Sequence, residues 1–166
     1  MADIDWDFSL ENSVAGTLLM RAQERLQTLN LPGIERDRIV IRKLPWQTDD
    51  VPPPYITVSP PPPTTTWSEG TNEMDSPVYG AMIAMVLANG EVTTKGMGLQ
   101  LYWRERVYKA FNNHSPATWT AVTLPTGNFF VHSWIESGDQ FIELAKRMQY
   151  DAQYLMLRVR VKEPRE

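Results

Sequence analysis

From Val78 to Ala88 the chain reads VYGAMIAMVLA, a run in which every residue is apolar or glycine. As a strand it places Val78, Gly80, Met82, Ala84 and Val86 on one face, and Tyr79, Ala81, Ile83, Met85 and Leu87 on the other. A strand with no polar face needs cover on both sides, so it belongs in the middle of a sheet. At 11 residues the run is also too short to cross a bilayer as a helix. Downstream, Leu99, Trp103, Val107 and Ala110 recur at helical spacing. They predict a helix over 96–112 that lies on the sheet, capped by Thr93 or Thr94 and closed at Asn112-Asn113.

Around this centre the spacing predicts a first helix over 10–30, capped by Ser9 or Asp7. Its stripe is Ala15, Leu18, Leu19, Ala22, Leu26 and Leu29, and Asn30 with Pro32-Gly33 stops it. Strands are predicted over 38–44 and 55–59, then over 118–124 and 129–136, the latter pair joined by the turn 125–128. A short helix over 139–148 follows. In the last strand, 154–162, Leu155, Leu157, Val159 and Val161 alternate with Met156, Arg158, Arg160 and Lys162. One face of it is therefore buried, and the other is wet or paired with acidic groups. The order predicts one α+β domain over 9–162, a mixed or mainly antiparallel sheet with two main helices packed on one face. Residues 1–8 read as a loose leader and 163–166 as a tail.

Proline supplies the remaining architecture. Val51-Pro-Pro-Pro54 and Pro60-Pro-Pro-Pro63 fall within 45–77, and prolines donate no ladder hydrogen bonds. This segment reads as a strand with an extended arm of polyproline character, either an exposed loop or a reach toward a neighbouring molecule.

Composition narrows the functions. The formal charge of −4 argues against a general nucleic-acid binder, and the absence of cysteine removes disulfides, thiolate metal sites and cysteine nucleophiles. The opening MADIDWDFSLEN is acidic and has no apolar signal core, so secretion by the usual route is not expected, and a soluble protein, intracellular when made, is. His114 and His132 form no ligand pair, and Ser133 and Ser137 lie near His132 without a nucleophile elbow. Gly96-Met97-Gly98 lacks the Gly-Lys-Ser/Thr of a phosphate loop. No catalytic, cofactor or metal site is expected. What remains are surfaces: Arg104, Arg106 and Lys109 on the second helix, and Arg158, Arg160 and Lys162 on the last strand. Asp49 and Asp50 are acidic counterparts in a loop, and Trp46 and Trp67 flank the proline segments as candidate interface anchors.

Three strings, in this order, resemble the tail-terminator and neck proteins of tailed bacteriophages. They are Ile39-Val-Ile-Arg-Lys-Leu-Pro45 with Tyr55-Ile-Thr-Val-Ser-Pro60, then Gly70-Thr-Asn-Glu73 through Tyr79-Gly80 to Leu101-Tyr-Trp-Arg-Glu-Arg-Val107, then Tyr150 to Val161. The resemblance implies a ring-forming subunit, usually six per ring, around the DNA passage. Its neighbours would be head-side connector proteins and tail tube or sheath proteins. The genome would pass without sequence recognition, no membrane would be involved, and the protein would reside in the virion after assembly in the host cytoplasm. A head-closure or tail-completion role is the near alternative. A non-catalytic adaptor binding a partner peptide along a sheet edge or groove is the alternative of another class.

Overall fold

A computed structural model describes residues 9–45, 50–61, 74–75, 77–89, 96–112, 129–137 and 150–164. It is α+β: two helices packed on a mixed, mostly antiparallel sheet. Strand β1 (Ile39–Ile41) runs parallel to β2 (Tyr55–Ser59), and β2 pairs antiparallel with β4 (Val78–Asn89). Next comes β6 (Tyr150–Pro164), then β5 (Phe129–Ser137), both antiparallel. The short β3 (Met74–Asp75) pairs with Pro164 and Glu163 at the far end of β6.

The apolar run thus lies where its pattern requires, between β2 and β6. Ala81, Ile83 and Met85 join the main core under the helices, while Met82 and Ala84 belong to a second buried cluster with Tyr154 and Met156. The ladder from β2 reaches Ser59 opposite Met82 and ends where Pro60 follows. Pro61 instead lies against Gly80, where an added Cβ would stand 3.1 Å from its ring.

Helix α1 (Val14–Thr28) packs over β1, β2 and β4, with Leu18, Ala22 and Leu26 fully buried. It begins later than the predicted 10, because Ser9 caps a 3₁₀ turn at Leu10–Asn12 and Ser13 caps the helix proper. The Ser13 hydroxyl accepts from Gly16 N–H at 3.0 Å. Ala15, assigned to the stripe from sequence, is exposed, and Gly16 is buried in its place. Asn30 stops the helix in the left-handed region at φ 48°.

Helix α2 (Met97–Phe111) starts at Gly96, whose φ is 94°, and it buries Trp103, Val107, Ala110 and Phe111. Its contacts are with β4, β5 and β6, on the same side of the sheet as α1. The predicted strand at 38–44 is shorter, and the predicted last strand is longer at both ends. The predicted strand at 118–124, the turn at 125–128, the helix at 139–148, the caps Thr93 and Thr94, and His114 lie outside the described residues.

Candidate interaction surfaces

Two hydrogen-bonded anchors fix which side of α2 points outward. Trp103 Nε1 donates to Pro32 O at 2.8 Å, tying the helix to the loop after α1. At the other end Ser133 Oγ donates to Phe111 O at 2.7 Å, and Ile135 N–H donates to Asn112 Oδ1 at 3.0 Å. The Phe111 carbonyl belongs to the last turn, where no intrahelical N–H is left to meet it.

With the buried stripe so fixed, Arg104, Arg106 and Lys109 are all exposed. Lys109 pairs with Glu105 one turn earlier, and that hydrogen bond and charge hold the Glu105 carboxyl below its usual range. The same exposed side carries large apolar groups that sequence reading passed over. Met97 and Leu101 are each 52% exposed, Tyr102 47% and Tyr108 45%. Met97, Leu101 and Tyr108 fall within about 40° of one another on a 3.6-residue helix. Their spacing is a second stripe, visible in the sequence once the first is assigned to the core. Arg104 borders it on one side and the Glu105–Lys109 pair on the other.

The second surface lies on the opposite face of the sheet. Register sets His132 across from Arg160, Trp134 across from Arg158, and Phe129 across from Lys162. The His132 and Trp134 rings stack with centroids 6.0 Å apart. Glu136 accepts from Trp134 Nε1 at 3.2 Å and pairs with Arg158 Nε at 3.3 Å. Arg158 also lies across Gly80, where an added Cβ would stand 3.0 Å from its guanidinium. Close approach of this kind is what a glycine permits in a strand. Arg158 is thus held within its own chain, whereas Arg160 and Lys162 are exposed. Met156, assigned from sequence to the same face, is buried.

Asp50 is exposed and pairs with Arg42 at 2.8 Å, an ion pair within the chain. Trp46, Asp49 and Trp67 lie outside the described residues. His132 and Ser133 point to opposite faces of β5, and Ser133 is buried against the end of α2. They do not form a nucleophile–base pair. Among the described residues no group of three or more His, Cys, Asp or Glu side chains gathers to hold a metal ion, and no helix is long and apolar enough to cross a membrane.

Neither a comparison with protein-family models nor one with curated proteins returns a match for this chain.

Proposed function

We propose that the chain is a structural virion protein, a tail terminator that forms a ring at the head-proximal end of a phage tail and joins it to the head connector. The observation that carries this reading is the placement of two candidate contact surfaces on opposite sides of one sheet. The outward side of α2 is apolar and cationic, while the β5–β6 side presents Arg160 and Lys162 beside stacked aromatics. A closed ring needs a heterologous contact, one face of the subunit against a different face of the next. A subunit with a contact surface on each of two opposite sides can meet a different neighbour with each, and the resemblance of the three strings supports the same role.

In this reading the ring is six-fold and non-catalytic and holds no cofactor. It meets head-side connector proteins on one side and tail tube or sheath on the other, with DNA passing through. Arg104, Arg106 or Lys109 then lies at a subunit boundary or along the channel. Electron microscopy of the parent particle tests this. The expected image is a ring of this chain between connector and tail. A head-closure or tail-completion protein would sit elsewhere in the neck, and a particle without the chain overturns the reading. The exposed α2 stripe favours one other reading, an adaptor for a partner peptide, which a single copy on a non-viral partner would support.

A further inference from the structure

The outward stripe of α2 is an apolar surface with a cationic border, and it calls for a ligand with both features. Met97, Leu101 and Tyr108 are about half exposed, an apolar stripe that a second molecule could cover. Arg104 on one border, and Lys109 against Glu105 on the other, leave the surround of the stripe cationic on a chain whose formal charge is −4. Arg104 has no ion-pair partner among the described residues.

The sequence holds one segment with the complementary pattern. Residues 3–8 read Asp-Ile-Asp-Trp-Asp-Phe, with acidic and apolar residues in strict alternation. In extended conformation this alternation puts Ile4, Trp6 and Phe8 on one side and Asp3, Asp5 and Asp7 on the other. The lengths agree. Met97 to Tyr108 spans roughly 16 Å along a helix, and Ile4 to Phe8 spans about 13 Å along a strand. The apolar side would rest on the stripe, and the long basic side chains at its border would reach the carboxylates.

We infer that residues 3–8 of one copy dock in extended form on the outward side of α2 of a second copy, making a head-to-tail contact between chains. The inference deepens the proposed ring by naming one of its joints. Nucleic acid fits this surface less well, since it supplies phosphate but no match for the apolar stripe, and the rest of the chain is acidic.

The test uses the full chain and three surface variants, each checked for its native circular dichroism. One carries Asp3→Lys, Asp5→Lys and Asp7→Lys; the second carries Arg104→Glu and Lys109→Glu; the third is Leu101→Asp. Sedimentation velocity reads self-association, and a fluorescent peptide of residues 1–9 reads docking by anisotropy. The wild-type chain should associate and bind the peptide, and Leu101→Asp or a Trp6→Ala peptide should weaken binding about tenfold or more. Each charge-reversed chain alone should lose association. Mixing the two should restore it, because the reversed segment of one meets the reversed helix of the other. Several outcomes overturn the inference: a segment-reversed chain that associates like wild type, a mixture that stays monomeric, or a wild-type chain that neither associates nor binds the peptide. Retention of the wild-type chain on an oligonucleotide through the α2 cations, with association unmoved by the variants, would assign the surface to nucleic acid instead. Rings formed by the segment-reversed chain would sink this joint and leave the ring reading standing.

Discussion

Gly16 is a position where two effects of opposite sign can be weighed. Alanine is favoured over glycine in a helix by about 1 kcal/mol. Yet a Cβ at Gly16 would stand 2.2 Å from Leu10 O, a backbone atom that cannot swing aside. Overpacking of this kind costs about 1–3 kcal/mol, so the clash wins. Gly16→Ala is expected to lower stability in urea denaturation, against its helix propensity. Trp103 is fully buried with its indole N–H satisfied by Pro32 O. Trp103→Phe keeps an aromatic ring but leaves that carbonyl unmet and a void beside it, for an expected loss of about 2–4 kcal/mol by the same measurement. Burial, with the nearby Tyr55 adding to it, pushes the Tyr154 phenol up to about 12. The folded state therefore holds this proton more tightly than the unfolded chain, whose tyrosine titrates near about 10. The stabilisation it contributes is complete below about pH 10 and is lost as pH rises toward about 12. In Tyr154→Phe that part of the alkaline decline should vanish, and spectrophotometric titration should lose one phenol that ionises near about 12.

At the scale of elements, the edges of the sheet explain more than its centre. Arg42 N–H donates to Val58 O, so by strand alternation the carbonyls of Ile39 and Ile41 point away from β2. An exposed edge of this kind invites pairing with another chain. Here Gln23 Nε2 donates to Ile39 O at 2.8 Å, Gln27 Nε2 reaches the same oxygen at 3.5 Å, and the Arg42 guanidinium donates to Ile41 O. Helix α1 thus closes the β1 edge with its side chains. Gln23→Ala with Gln27→Ala should cost about 1 kcal/mol and raise light scattering on standing, as the edge becomes open to strand addition. The glutamines fall between the apolar positions of α1 and look like ordinary solvent-facing residues in the sequence. Their role depends on which strand lies beneath them. By contrast β4 and the alternation in β6 were legible, because burial on one or both faces is written into a period of two.

For the whole molecule, the decisive property is that its two candidate surfaces face opposite ways. If both take part in assembly, raising salt should weaken self-association, since exposed charges are screened beyond about 8–10 Å at moderate ionic strength. Sedimentation across a salt series reads this directly, and an Arg160→Glu, Lys162→Glu variant should lose part of the salt dependence. Sequence alone determined the fold class, the doubly buried strand, the stripe of α2 and the two faces of β6. Each of these is a local periodicity, recorded wherever a regular element meets a core. Tertiary structure alone decided the strand order, the parallel pairing of β1 with β2 and the register of β5 on β6. It also decided which cations are taken, since Arg158 is engaged by Glu136 from the neighbouring strand and seated over Gly80 of another. Such pairings join residues far apart in the chain, and no spacing within any single segment encodes them.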